Sequence, residues 1–137
     1  MLSDVIIRTI RSKLDYAADD LKSANILFDN GQYRGANIQV YHCILNAMNA
    51  LLELDSIEQK KANNIAEYFM NNYILNNTLD KSLLSVINIM DAINKTIEYD
   101  EFPIFSLIQT KNYIEGAKVF INTVEFYINN QIKHQTD

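Results

Sequence analysis

The stretch Asp19–Leu52, DDLKSANILFDNGQYRGANIQVYHCILNAMNALL, decides the fold of this chain. Its first part belongs to an apolar stripe with steps of three and four residues, and the stripe stops at Asn30-Gly31. Glycine adopts the left-handed backbone conformation that ends many helices, and a second helical pattern begins near Gln32 or Tyr33. Because only two or three residues connect the helices, the stretch predicts an antiparallel helical hairpin.

The two helices of this hairpin carry different contact residues. The first has Ser3 as its predicted N-cap and a single apolar stripe that consists of Ile6, Ile10, Leu14, Ala17, Leu21, Ala24 and Phe28. The stripe of the second helix contains several small residues, which let helix axes approach closely, and consists of Ala36, Val40, Cys43, Ala47 and Leu51. A second apolar face, with Leu45, Met48 and Leu52, predicts either burial on both sides of this helix or a dimer surface.

Three more helical patterns follow the hairpin. Ser56 and Gln59 have capping-box spacing before a third helix through Ile65, Phe69 and Tyr73, and Asn76-Asn77-Thr78 breaks that pattern. The fourth helix carries Leu83, Val86, Ile87, Met90, Ile93 and Ile97 and ends before Phe102-Pro103. Thr110 is the predicted cap of a fifth helix, which carries Tyr113, Ile114, Ala117, Phe120, Ile121, Val124, Tyr127 and Ile128. Gly116 inside this helix predicts close helix packing.

The sequence therefore predicts an all-α, five-helix up-and-down bundle that forms a single domain over residues 1–137, with a frayed tail over 131–137. The chain has 137 residues, of which 48% are hydrophobic and 21% charged, as is typical of globular proteins. Its longest uncharged stretch, Gly35 to Leu52, is interrupted by polar residues, so we expect no membrane span. The N-terminus lacks the apolar region of a secretion signal, and we expect a cytoplasmic protein.

The net charge and the cysteine content exclude several classes of function. A net charge of −5 argues against broad binding to nucleic acid, because sequence-independent affinity comes from basic residues that neutralise phosphates. Any RNA contact must therefore be local. The single cysteine, Cys43, forms no disulfide within the chain, and Cys43 with His42 lacks the further ligands of a zinc site. We expect no metal site and no cofactor.

Two regions of the chain carry residues that are able to take part in binding or catalysis. Tyr41 and His42, in the second helix, are able to bind a base or transfer a proton, but the favoured interpretation is a packed Tyr41 and a non-catalytic His42. Acidic residues crowd the end of the fourth helix at Glu98, Asp100 and Glu101, where negative charge opposes the helix dipole. A cation, an arginine or a partner chain would offset this repulsion, and solvation by water is the alternative.

The order of several short motifs resembles the HEPN domain family. The residues that carry the resemblance are Asp20-Leu21, Ala24, Leu27, Gly31-Gln32-Tyr33, Ala36, Tyr41, Ala47, Ala50-Leu51-Leu52 and Tyr99-Asp100. The likeness covers about Leu14 to Ile128. It implies a helical bundle that is commonly dimeric, is often encoded beside a minimal nucleotidyltransferase and acts in toxin–antitoxin or defence systems.

The resemblance also implies where a catalytic site would lie. Active members of the family are metal-independent ribonucleases that use an arginine, four to six intervening residues and a histidine. Aligned on the late motif, this chain has Asn94 at the arginine position and Tyr99 near the histidine position, and seven residues separate Arg34 from His42. Asparagine carries no charge and tyrosine titrates near pH 10, so Lys95 would be the only cation of such a site.

We therefore predict a homodimeric interaction or regulatory partner of a nucleotidyltransferase-like protein, with a degenerate ribonuclease site. The predicted groove for a partner, nucleotide or RNA consists of Tyr41, His42, Asn94, Tyr99 and Asp100. One alternative is an active ribonuclease that uses Lys95, Tyr99, His42 or Arg34 across a dimer. Another is a purely structural helical module. The resemblance further suggests Tyr99 as an acceptor for nucleotidyl transfer.

Overall fold

The computed structural model describes residues 2–56, 62–100 and 103–136. Over these ranges the chain forms five α-helices, namely α1 (Asp4–Asp29), α2 (Tyr33–Leu54), α3 (Ala62–Phe69), α4 (Leu84–Tyr99) and α5 (Leu107–Thr136). A π-helical turn (Met70–Ile74) and a 3-10 turn (Lys81–Leu83) lie between α3 and α4. No strand occurs in the described ranges, which confirms the all-α fold. None of the described helices is long and apolar enough to cross a membrane.

The hairpin of α1 and α2 forms as the sequence predicts. The hydroxyl of Ser3 accepts a hydrogen bond from the backbone N–H of Ile6 at 3.2 Å and caps α1. Gly31 has a φ of 73°, and after it the N–H of Gln32 donates to the carbonyl of Leu27 at 2.8 Å. The left-handed conformation of Gly31 lets the N–H of Gln32 satisfy the carbonyl of Leu27 at the end of α1. It also reverses the chain into α2.

Helix α2 lies at the centre of the bundle and contacts the other four helices. A hydrogen bond from Arg11 of α1 to Asn129 of α5 joins the first half of one helix to the last part of the other, so these two helices are antiparallel. On the second apolar face of α2, Met48 and Leu52 are each 1% exposed. The third residue of this face, Leu45, is half-buried and packs against the core, so the chain itself covers most of this face.

Gly116 permits a close approach of α5 to α4. A Cβ atom at this position would lie 2.8 Å from Cδ1 of Ile89, which is closer than van der Waals contact allows. The predicted close packing at Gly116 is therefore confirmed. It holds one side of α4 against α5, and the opposite side of α4 borders a groove.

Two boundaries differ from the sequence prediction. Helix α5 is capped by Ser106, whose hydroxyl accepts from the N–H of Gln109 at 3.0 Å, whereas Thr110 is buried and its hydroxyl donates to the carbonyl of Ser106 at 2.7 Å. The third helix changes to π geometry at Met70, so Tyr73 lies in the π-helical turn. Gln59 lies outside the described residues. Helix α5 extends as far as Thr136, and fraying of the tail over 131–137 stays a prediction.

Candidate functional site

A groove of about 540 Å³ opens between α2, α3 and α4. We call it the α4 groove; its lining consists of Tyr41, Ala66, Ile87, Asn88, Met90, Asp91 and Asn94. Five of these seven residues come from α4. Ile87, Asp91 and Asn94 follow at steps of four and three residues, which places them on one face of a helix. One side of α4 therefore forms the long wall of the groove, and Tyr41 faces it from α2.

The groove combines an apolar base with a polar edge. Met90 is buried and Ile87 is half-buried, whereas Asn88, Asp91 and Asn94 are exposed along the rim. Tyr41 is half-buried, and burial raises the pKa of its phenol above the ordinary value of 10.0. Tyr41 therefore keeps its proton at neutral pH and offers a neutral ring face and hydroxyl.

Lys95 forms an ion pair within α4. Its Nζ lies 2.9 Å from Oδ2 of Asp91, one helical turn before it, and both side chains are exposed. An acid that precedes a lysine by four residues has the favourable orientation along a helix. The hydrogen bond and charge of Asp91 raise the pKa of Lys95. Lys95, the only cation that the sequence predicts for a ribonuclease site, is thus neutralised by Asp91 of the same helix.

The other predicted site residues of α4 cluster at its last turn. Asn94 lies on the groove and its Nδ2 donates to Oε2 of Glu98 at a long 3.4 Å. Tyr99 is 74% exposed, and Asp100 ends α4 as its exposed C-cap. Glu98 and Asp100 both face solvent, while Glu101 lies outside the described residues. Tyr99 and Asp100 are not part of the groove lining.

His42 points to another side of the bundle. Its exposed ring meets Tyr41 edge-on, with ring centroids 6.0 Å apart and an interplanar angle of 88°. Next to it, Nδ2 of Asn46 donates to Oδ2 of Asp20 of α1 at 2.7 Å. Burial raises the pKa of Asp20, and the hydrogen bond from Asn46 and the charge of His42 partly offset that rise. His42 therefore contacts Tyr41 within α2 but does not line the α4 groove.

The structure thus brings together two of the five residues predicted for the groove. Tyr41 and Asn94 share it, whereas His42, Tyr99 and Asp100 lie outside its lining. Sequence reasoning missed Asn88 and Asp91, although Asp91 lies three residues before Asn94 and Asn88 three residues before Asp91, a helical spacing that could have found them. Among residues 2–56, 62–100 and 103–136, no group of three His, Cys, Asp or Glu side chains is arranged to hold a metal ion.

A second polar cluster lies where α2 ends. The hydroxyls of Tyr68 and Tyr73 donate to the same oxygen, Oδ2 of Asp55, at 2.8 and 2.5 Å. The π-helical turn, whose hydrogen bonds join residues five apart, lets these two tyrosines reach one carboxylate. We call these three residues the Asp55 clamp. Tyr73 also stacks on Phe69 and packs edge-on against Tyr127 of α5, so the clamp ties α2, α3 and α5 together.

Comparison with known proteins points to one family. The model of the HEPN domain family matches residues 10–127, which is most of the chain. A protein of Methanocaldococcus jannaschii that bears the name "Putative toxin" is similar to it, with 23% identity over 132 residues. The aligned part covers 95% of this chain and 90% of that protein, so the similarity extends over nearly the full length of both.

Proposed function

Because this chain belongs to the HEPN domain family, we propose that it acts in a toxin–antitoxin or defence-type system as the partner of a minimal nucleotidyltransferase-like protein. In this role the chain serves interaction or regulation, and it does not cleave RNA by the arginine–histidine mechanism of the family. The toxin name of the archaeal relative supports the toxin–antitoxin setting.

The residues at the family's catalytic positions carry this proposal. Asn94 and Tyr99 stand where arginine and histidine are expected, and neither supplies a positive charge at neutral pH. Lys95 is paired with Asp91 at 2.9 Å, and His42 lies on α2 beside Asp20. Cleavage of a phosphodiester needs a cation near the phosphorus and a group that transfers protons near pH 7. The described residues around Asn94 offer no such combination.

Four finer features belong to the same proposal. We expect a homodimer, in line with the family, and we expect a nucleotide or a single-stranded stretch of RNA to bind in the α4 groove through Tyr41 and Asn94. Tyr99, exposed at the end of α4, is the accessible tyrosine for a nucleotidyl group transferred by the partner. Location in the cytoplasm follows from the proposed system.

Incubation of the purified protein with total RNA in the presence of EDTA tests the proposal. We expect the length distribution of the RNA to stay unchanged. RNA cleavage that Lys95→Ala or His42→Ala abolishes would overturn the proposal and favour a ribonuclease with a non-standard site. Lys118→Ala is the matched control, because Lys118 is an exposed lysine of α5 outside the groove lining.

A further inference from the structure

We propose that the α4 groove binds one unpaired purine base by its ring face and its edge, without a contact to phosphate. This inference rests on the proposed function, since it specifies the nucleotide or RNA binding stated there. Four observations support this inference: the charge of the lining residues, the hydrogen bonding of its asparagine side chains, the position of Tyr41 and the size of the groove.

The charge of the described lining residues disfavours phosphate as the group that is recognised. Among the described residues that line the groove there is no lysine or arginine, and Asp91 places a carboxylate on the wall. Lys95 is the cation next to this wall, and it is paired with Asp91. A phosphate at the wall would face the carboxylate without a free counter-charge. A neutral ligand with hydrogen-bonding groups avoids this repulsion.

The asparagines of the groove are available for such a ligand. Elsewhere, within the helices or just after them, the side-chain amides of Asn25, Asn30, Asn37, Asn72 and Asn76 donate to the carbonyl of the residue four positions earlier. Asn94 instead donates sideways to Glu98 at 3.4 Å, and no described residue holds the amide of Asn88. A free amide presents one donor and one acceptor side by side, which is the pair that the edge of adenine accepts.

Tyr41 supplies the stacking surface. It faces the amides of α4 from across the groove, and Ile87 and Met90 give the base an apolar floor. Unpaired bases are commonly held between an aromatic ring and hydrogen bonds to their edges. The groove has a volume of about 540 Å³, within the range of small-molecule sites. The seven helical steps from Ile87 to Asn94 span about 10 Å, which is the length of a nucleoside.

The base could belong to a free nucleoside or to single-stranded RNA, and calorimetric titration separates these sources. The protein is titrated with adenosine, AMP, ribose 5-phosphate and a short oligoadenylate at about 50 and 200 mM salt. We expect adenosine and AMP to bind within about two-fold of each other, ribose 5-phosphate not to bind, and salt to change the affinity for adenosine by less than about two-fold. A gain of ten-fold or more for oligoadenylate over adenosine would identify RNA as the source, and equal affinity would identify the free nucleoside.

Two variants test the residues that hold the base. Tyr41→Leu should weaken adenosine binding by about 5- to 150-fold, because it removes the stacking ring, and Tyr16→Leu on exposed α1 is its control. Asn88→Ala, at an exposed position, should weaken it by at least about five-fold without affecting folding, and Asn122→Ala on α5 is its control.

Several results would overturn the inference. These are the absence of adenosine binding, binding of ribose 5-phosphate as tight as that of adenosine, a steep salt dependence for adenosine, or unchanged affinity in Asn88→Ala. None of these results bears on the RNA cleavage assay, so the inference fails separately from the proposed function.

Discussion

The Asp55 clamp and the α4 groove use similar side chains in opposite ways. Both contain tyrosine and aspartate at a junction of α2 with later helices. In the clamp, Tyr73 is 2% exposed and two phenols share one carboxylate oxygen. In the groove, Asn88, Asp91 and Asn94 are exposed along one edge of α4, and Tyr41 stands half-buried opposite them. The polar groups of the clamp are satisfied by the chain, whereas those of the groove mostly face outward.

This difference separates groups that stabilise the fold from groups that are free to bind. Removing one member of a buried hydrogen-bonded cluster leaves its partner unsatisfied and costs free energy of folding. An exposed amide loses only contact with water when it is truncated. Variants in the clamp should therefore change stability, and variants in the groove should change binding.

The largest loss of stability is expected for Asp55→Ala. It removes the acceptor of both tyrosines and leaves the buried hydroxyl of Tyr73 without its partner. We expect the free energy of unfolding to fall by about 2–3 kcal/mol, as measured by urea denaturation. The matched control is Asp91→Ala in the groove, which should leave the midpoint unchanged. Equal effects of the two variants would remove the distinction between clamp and groove.

Tyr73→Phe should have the next largest effect. It deletes one hydrogen bond to a carboxylate but keeps the stacking on Phe69 and the edge contact with Tyr127. We expect a loss of about 1–2 kcal/mol in the same denaturation experiment. Tyr68→Phe should cost less, because the hydroxyl of Tyr68 is exposed and water replaces its partner. A larger loss of unfolding free energy in Tyr68→Phe than in Tyr73→Phe would show that the hydrogen bond of Tyr73 is not the more stabilising of the two.

Alkaline pH provides a third, weaker perturbation of the clamp. Burial and the hydrogen bond to Asp55 raise the pKa of Tyr68 to about 12, and the same causes raise the pKa of Tyr73 further. Below pH 10 the tyrosines are protonated in both folded and unfolded chains. Between pH 10 and about 12 the unfolded chain loses these protons while the folded chain keeps them, so stability should fall as pH rises.

Unfolding followed by circular dichroism from pH 8 to 11 measures this slope. The variant with both Tyr68→Phe and Tyr73→Phe should lose less stability over this interval than the wild type. An identical slope in the two proteins would mean that other groups cause the alkaline loss.

The fold was predictable because its signals are local. The stop at Asn30-Gly31 requires only a left-handed glycine, and the stripes of α1 and α2 require only helical spacing. The start of α5 was wrong by four residues because Ser106 and Thr110 are both able to cap a helix. Tertiary packing decides between them: Thr110 is buried and accepts a hydrogen bond from Asn37, so its hydroxyl is used elsewhere.

The two polar clusters were predictable only in part. Tyr41 and Asn94 were recognised, but their neighbour Ala66 comes from α3, and no spacing in the sequence relates α3 to α4 across the groove. The clamp depends on the π-helical turn, which brings residues five apart to one carboxylate. Helical periodicity does not foresee that geometry, since it assumes 3.6 residues per turn throughout.

The smallest effect on stability is expected in the groove. Asn88→Ala removes an exposed side chain that no described residue holds, so the free energy of unfolding should change by less than about 0.5 kcal/mol. A larger loss would show that Asn88 stabilises the fold.

Thermal unfolding of Asn88→Ala and Tyr73→Phe, each with and without millimolar adenosine, tests the contrast most directly. A ligand that binds the folded state raises the Tm. Asn88→Ala should melt at the wild-type temperature and show a smaller adenosine-induced rise in Tm than the wild type, whereas Tyr73→Phe should melt lower and keep the full rise. A lowered Tm in Asn88→Ala with the adenosine response intact would contradict the assignment of the clamp to stability and the groove to binding.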